Sequence, residues 1–197
     1  MNRLVVLVGA HSSGKTTLGK ALSDNLGWQF DDEIGYRLRM KAVQEDPTQL
    51  ADVHQSDFDR SVCLAECHRD SERHANAVVE TWHGGNLAYI VERSPEIYTD
   101  MREMIRKHLQ GLILEVVVVP LQIQAATLQV RQREVVSDVY FFHKVGQLAR
   151  TESQSFNVTV VEPVITDQGR SIEACLKEIE QKITAAWIKN KKTLFGL

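Results

Sequence analysis

No apolar run in the 197 residues approaches the roughly 18 to 20 needed to span a bilayer. The longest, Leu112–Val119, is strand-sized and carries Glu115 inside it, so a membrane-embedded chain is excluded and no membrane partner is expected. The N-terminal run Leu4–Val8 is too short for the apolar segment of a signal peptide, and it ends in a glycine loop rather than a small-residue cleavage site, so export is not expected either. Cysteine is scarce. Cys63, Cys67 and Cys175 are an odd number without disulfide spacing, which excludes a disulfide scaffold and suits a reducing compartment, read here as the cytoplasm. A surplus of one charge is missing too: 23 Lys+Arg stand against 26 Asp+Glu, leaving no global positive field to hold a nucleic-acid backbone. What is present, 43% hydrophobic and 25% charged residues, is the balance of a globular protein whose length suits one domain.

The apolar periodicity alternates between strand and helix along the chain. Arg3–Val8 reads as a strand, and Thr17, Leu18, Ala21, Leu22 and Leu26 recur at helical spacing until Gly27. A short run Trp28–Phe30 precedes the acidic Asp31-Asp32-Glu33, and a weaker helical stretch covers Gly35–Glu45. Ser56 with Asp59 resembles a capping box, opening a helix whose buried face would carry Phe58, Val62 and Ala65. Ala77–Glu80 is a strand candidate ending in a carboxylate, and Trp82–Gly85 reads as a turn. Ser94-Pro95-Glu96 starts a helix with a stripe of Ile97, Met101, Met104, Ile105 and Leu109. Leu112–Val119 has the near-continuous apolar character of a strand buried on both faces, closed by Pro120. Helical patterns through Leu128 and from Val139 to Ala149, a last strand Val158–Val161 and a last helix Ile172–Trp187 complete the chain. The expectation is an α/β fold: a parallel sheet of about five strands with helices on both faces, and ligands beyond the carboxyl ends of the strands.

Gly9-Ala10-His11-Ser12-Ser13-Gly14-Lys15-Thr16 satisfies G-x-x-x-x-G-K-[ST] and falls between a strand and a helix, where a phosphate-binding loop must lie. Glycines let backbone N–H groups curl round a phosphate, the helix N-terminus adds partial positive charge, and Lys15 reaches the β- and γ-phosphates. Gly9, Ser12, Ser13 and Gly14, with Lys15, Thr16 and Thr17, are therefore the expected ATP-binding residues, Thr16 offering its hydroxyl to Mg²⁺. His11 is expected to point to solvent. Three classes of protein share this loop: kinases, switch GTPases and mechanical ATPases. A GTPase would need an N-K-x-D motif, and Asn190-Lys191 is followed instead by Lys192-Thr193. A mechanical ATPase would have an apolar strand ending in paired acids and a longer chain, and this sequence matches neither.

The segment Glu80-Thr81-Trp82-His83-Gly84-Gly85-Asn86-Leu87-Ala88-Tyr89 resembles the thymidylate kinase family, whose third strand ends in Asp-Arg-aromatic followed by Ser-x-x-Ala-Tyr-Gln. Leu64–Arg69 is similar to that family's Leu-Phe-Ala-Ala-Asp-Arg helix, and Asp138–Val145 to its Asp-Phe-Phe-x-x-Val stretch after the lid. The resemblance implies a P-loop kinase-like fold with a short lid at about residues 129–138, transfer to a nucleoside monophosphate, and a homodimer. Departures are specific: Glu80 stands for the family's Asp, Thr81 for its Arg and Ile90 for its Gln, and Arg69 to Glu80 is shorter than the family's spacing. Asp31–Gly35 resembles instead the small-metabolite kinases of shikimate-kinase type, where an acid serves Mg²⁺ or the acceptor.

Phosphoryl transfer needs cations round the migrating group and a carboxylate near the acceptor or the metal. Arg131 and Arg133 fall in the implied lid, where they would close over the phosphates; as plain surface residues they would be a solvated helix end. Glu80 is the favoured carboxylate, for activation or Mg²⁺ organisation, with Asp32 in reserve. Arg69 is expected at an acceptor phosphate, Trp82 and Tyr89 as stacking surfaces for a base, and Arg93, in a Glu92-Arg93-Ser94 triplet that resembles deoxynucleoside kinases, as a weaker candidate. Cys63, Cys67 and His68 read as a buried helical face rather than a metal site. The chain is thus expected to be an ATP-dependent phosphotransferase with a small-molecule acceptor, a nucleotide as the resemblance to nucleoside monophosphate kinases of the thymidylate kinase family implies, the alternatives being a shikimate-kinase-like small-metabolite kinase and a non-catalytic ATP-binding regulatory protein.

Overall fold

The computed structural model describes residues 1–45, 55–131, 139–167 and 169–195. Strand β1 (Asn2–Gly9) shows why the sheet is covered twice. Leu4, Val6 and Val8 join a core cluster on one face, while Val5 and Leu7 join another on the opposite face, so neither side can meet water. Helix α1 (Lys15–Leu26) follows it; the other strands are β2 (Gln29–Asp31), β3 (Ala77–Glu80), β4 (Leu114–Gln122), β5 (Thr159–Val160) and β6 (Val164–Ile165). Their order is β2-β3-β1-β4-β5, with β6 pairing β4 beyond the end of β5, and all pairings are parallel. The short sixth strand is the one addition to the expected sheet, and two residues are too few to leave a period in the sequence.

The remaining helices are α2 (Ile34–Glu45), α3 (Gln55–Ser71), α4 (Trp82–Arg93), α5 (Tyr98–Gln110), α6 (Ala125–Arg131), α7 (Val139–Gln154) and α8 (Ile172–Phe195). One core cluster joins Leu18 and Leu22 of α1 and Ile179 and Ile183 of α8 to the sheet; the cluster on the other face joins Ala88 of α4 and Val145 and Ala149 of α7. A third cluster packs α3 and α4 against α5 through Cys63, Leu87, Met101 and Ile105. Among the described residues no helix is long and apolar enough to cross a membrane.

Three expectations are corrected. Trp82–Gly85 is the first turn of α4, not a loop: its glycines serve close packing rather than a turn. A Cβ on Gly84 would stand 2.9 Å from the Ser153 backbone nitrogen and 3.0 Å from the Ala149 carbonyl, with the Ser153 hydroxyl nearer still. Gly84→Ala is therefore expected to destabilise the protein by about 1–3 kcal/mol or more through overpacking, measurable as a lower urea midpoint. Pro120 lies inside β4 rather than closing it. The carbonyls of Val118 and Gln122 accept on the side of β5 and β6, so by alternation Pro120 faces that side too, in the gap between those two strands where a missing N–H leaves no bond unmade. Finally, Ser56 lies inside α3, whose buried face is Asp59, Val62, Cys63, Glu66 and Asp70 rather than Phe58, Val62 and Ala65. Each of those three acids has its own partners, described below.

Candidate active site

β1, the central strand, delivers the chain into the glycine loop beyond the carboxyl edge of the sheet. Gly14, at φ 97° in the left-handed region, turns the loop into α1 and precedes the helix without any side-chain cap. The first N–H groups of α1 thus have no side-chain acceptor, and the buried Ser13 hydroxyl has no hydrogen-bond partner. Both fit a cradle that an anion completes. Lys15, buried, donates through Nζ to the carbonyls of Gly9 at 3.1 Å and Ala10 at 2.9 Å. Burial pulls its ammonium below the usual lysine value, with Glu33 and Glu80 opposing.

At the end of β3, in register with Leu7 of β1, Glu80 accepts from the Thr16 hydroxyl on both carboxylate oxygens, at 2.9 and 3.2 Å. Burial raises Glu80 above the ordinary glutamate range, opposed by the Thr16 hydrogen bond and Lys15. Its neighbour Glu33 accepts from the Thr81 hydroxyl at 3.0 Å. Thr81 and Trp82 adopt φ values of 72° and 50°, a sparsely populated backbone for residues with side chains. This strained step turns the chain from Glu80 directly into α4. A hydroxyl and a carboxylate brought together beside an uncapped helix end form the donor set that Mg²⁺ takes in such loops.

These groups border one cleft of about 1090 Å³, larger than the roughly 300–1,000 Å³ of single small-ligand sites and so roomy enough for two ligands. One arm runs past the loop towards Thr166 and Arg170 on the β6 side of β1. The other runs past Glu80 towards α2, α3 and α4, where Tyr36, Phe58, Asn86, Tyr89 and Arg93 line it. The strand order thus leaves open space on each side of the phosphate loop.

Arg131, at the end of α6, spans the first arm: it donates to the carbonyls of Ser12 at 3.3 Å and Thr166 at 2.6 Å. Arg133 and most of the lid expected at 129–138 lie outside the described residues. Gly9 shapes the loop through its close approach to Leu121, while Ser12, Thr16 and Thr17 line the cleft. His11 is exposed as expected, yet its ring stands 5.2 Å from that of Phe142. Asp32 lines the second arm, 3.7 Å from Arg37, whereas Asp31 turns away into a 2.9 Å ion pair with Arg73. Tyr89 borders that arm, with the Arg93 guanidinium 4.5 Å above its ring.

Two expected acceptor contacts are not where the sequence placed them. Trp82 is fully buried in the core, donating its indole N–H to Asp70 at 2.8 Å, and leaves no ring face for a base. Arg69 does not line the cleft; it pairs with buried Glu66 and donates to the Asp32 carbonyl at 2.9 Å, holding the α2 entry against α3. The buried acids of α3 were the missed residues. Asp59 accepts from Arg93 and from the Ser94 hydroxyl at 2.8 Å, and Glu66 accepts from Asn86 at 3.4 Å, so both orient side chains of the second arm. Asp59 had shown itself only as a capping partner of Ser56, while Glu33 and Asn86 lay inside segments that the sequence singled out without being picked from them.

No protein family and no curated relative matches the sequence. Solved structures match over nearly its whole length. A deoxyadenosine kinase from M. mycoides, with dCMP and dCDP bound, superposes with a TM-score of 0.62 at 12% identity, over 93% of this chain and 99% of its own. The shikimate kinase of Bacteroides thetaiotaomicron gives 0.55 at 16% identity, over 91% and 96%. NadR in complex with NAD and AMP-PNP gives 0.57 at 17% identity over 92% of this chain, which spans 49% of NadR. The fold is that of the P-loop kinases. None of these three structures is a thymidylate kinase, and what they share with this chain is the P-loop kinase fold.

Proposed function

We propose that the protein is an ATP- and Mg²⁺-dependent phosphotransferase that phosphorylates a hydroxyl group of a nucleoside-like acceptor. The observation that carries this reading is the Thr16–Glu80 contact at the junction of the two arms of the cleft. A triphosphate on the loop, its base along the Thr166 arm, presents its terminal phosphoryl group to whatever fills the Tyr89 arm. Mg²⁺ bound there would neutralise charge on the β- and γ-phosphate oxygens. Thr16 and Glu80 would hold it, Lys15 would leave the Gly9 and Ala10 carbonyls for the phosphates, and Arg131 would add a cation from above the loop. The chain's contribution is positioning and charge stabilisation, the two things this reaction asks of a protein.

Charge favours a hydroxyl acceptor. The second arm presents Asp32, Glu33, Asp59 and Glu80, and its Arg93 is paired with Asp59, while Arg69 is taken by Glu66. An acceptor phosphate entering that arm meets the carboxylates of Asp32, Glu33 and Glu80, Asp59 being buried against Arg93, whereas a neutral ring can lie beside Tyr89 and Phe58 and direct a hydroxyl at Glu80. The fold likeness to a deoxyadenosine kinase agrees with this. A second reading, a nucleoside monophosphate acceptor, draws on the sequence resemblance and on Arg39, whose guanidinium lies in the same arm 5.5 Å over Phe58.

ADP release measured across nucleosides, nucleoside monophosphates and small hydroxylated metabolites tests the proposal. Turnover with nucleosides is the expected result; turnover with monophosphates alone would replace it by the second reading, and nucleotide binding without acceptor-dependent turnover would leave a regulatory ATP-binding protein. In the active case Arg131→Ala is expected to lower kcat about tenfold or more, with little change in thermal stability because its contacts are to peripheral carbonyls. A wild-type rate in that variant would remove Arg131 from the transfer step.

A further inference from the structure

Away from the cleft, three helices bring together a cysteine and two histidines that the proposed reaction does not use. Cys67 on α3, His83 on α4 and His108 on α5 each offer a ligand atom, and these atoms all lie within 4.8 Å of one another. His83 is completely buried, and its Nδ1 has no hydrogen-bond partner; nor has the buried Nε2 of His108. Both lie on neighbouring helices beside the same thiol, and a buried polar atom without a partner calls for an explanation. The other nitrogen of His83 explains the orientation. Its Nε2 lies 3.1 Å from Asp70 Oδ2, and Asp70 is itself fixed by the Trp82 indole N–H at 2.8 Å. With the proton held on Nε2 by a carboxylate, Nδ1 keeps a lone pair that no protein group uses, as in a carboxylate–histidine–metal arrangement.

We propose that Cys67, His83 and His108 bind a zinc-class transition-metal ion, with Asp70 orienting His83 and water at the fourth position. One thiolate and two imidazoles form a borderline-soft set that selects Zn²⁺ over Mg²⁺, so the site is chemically separate from the oxygen donors Thr16 and Glu80. Metal–ligand bonds of about 2.0–2.3 Å set tetrahedral ligand atoms roughly 3.3–3.7 Å apart, so donors within 4.8 Å of one another close by up to about 1.5 Å on binding. Cys67 and His108 are only partly buried, which leaves them room to do so and leaves an approach for the ion. The ion ties α3, α4 and α5 together at the first turn of α4, the helix that carries Asn86, Tyr89 and Arg93. Its role is therefore structural, bracing the acceptor wall.

Titration of the metal-stripped full-length protein with Co²⁺ tests this. One equivalent is expected to produce tetrahedral d–d bands and a thiolate-to-cobalt charge-transfer band, both displaced by Zn²⁺. Zn²⁺, but not Mg²⁺, is expected to raise the unfolding midpoint of the stripped protein. Cys67→Ser is expected to abolish the charge-transfer band, and His108→Ala to weaken Co²⁺ binding about tenfold or more. Both positions are partly exposed, and circular dichroism with ATP binding reports whether each variant is folded. Absence of the charge-transfer band from the wild-type protein at stoichiometric Co²⁺ overturns the proposal whatever the variants do, as does an unchanged band in folded Cys67→Ser, which would assign the thiolate to Cys63 or Cys175.

Discussion

Lys15→Ala is expected to leave a folded protein whose ATP-dependent transfer falls by at least about 10²- to 10³-fold, the scale of removing one preorganised charge from a water-excluded site. The fold should survive because two terms oppose each other. The buried ammonium donates to the Gly9 and Ala10 carbonyls, contacts that the alanine loses. The same burial disfavours its charged form, so removing it also removes a desolvation cost. Nothing comparable offsets the loss towards the nucleotide. The loop's remaining donors are neutral N–H and hydroxyl groups, and Arg131, which reaches the loop from above at the Ser12 carbonyl, does not replace an ammonium inside it. The measurements are ADP release under saturating acceptor, ATP affinity and the thermal midpoint, taken on the same sample. Wild-type turnover in a folded variant would remove the loop from the chemistry.

What could be read without coordinates was local. The phosphate loop is eight consecutive residues whose glycines, lysine and threonine act through their own backbone and the helix they begin. β3 was legible as four residues ending in a carboxylate, and β1 as an unbroken apolar run. The second arm was not, because its logic runs across helices. Asp59, Glu66 and Asp70 sit at positions of α3 that an amphipathic pattern assigns to apolar residues, and their acceptance there depends on partners elsewhere: Arg93 and Ser94, Asn86, and Trp82 with His83. A buried acid is costly alone and acceptable once bonded, and the bonding is invisible in sequence. The same reason misdirected Trp82, whose polar edge is satisfied by Asp70 in the core. It likewise hid Cys67, which the sequence assigns to a buried helical face with Cys63 and His68; His68 in fact faces solvent beside Glu72, and the histidines grouped with Cys67 come from α4 and α5.

Glu80→Gln is expected to bind ATP yet lose roughly 10²- to 10⁴-fold in transfer, as befits loss of a group that handles a proton or holds a metal. The amide preserves shape and still accepts from the Thr16 hydroxyl, but it lacks the charge that the site has buried at the end of β3. The pH dependence separates this from a merely structural effect. Burial raises Glu80 above the ordinary glutamate value, so in the free enzyme the carboxylate takes up its proton at a higher pH than an exposed glutamate would. Activity carried by the ionised form is then fully present above that raised value and declines as pH falls through it. The acid limb of kcat/KM in the wild-type protein should therefore lie above the ordinary glutamate range, and Glu80→Gln, uniformly slow, should lack it. Asp32→Asn is the control. Asp32 borders the same arm but is half exposed and 3.7 Å from Arg37, so neutralising it should change KM for the acceptor more than kcat. If Asp32→Asn abolishes transfer while Glu80→Gln retains the wild-type rate and acid limb, the carboxylate that serves the reaction is the one following β2, and the acceptor hydroxyl must approach from the α2 side of the cleft.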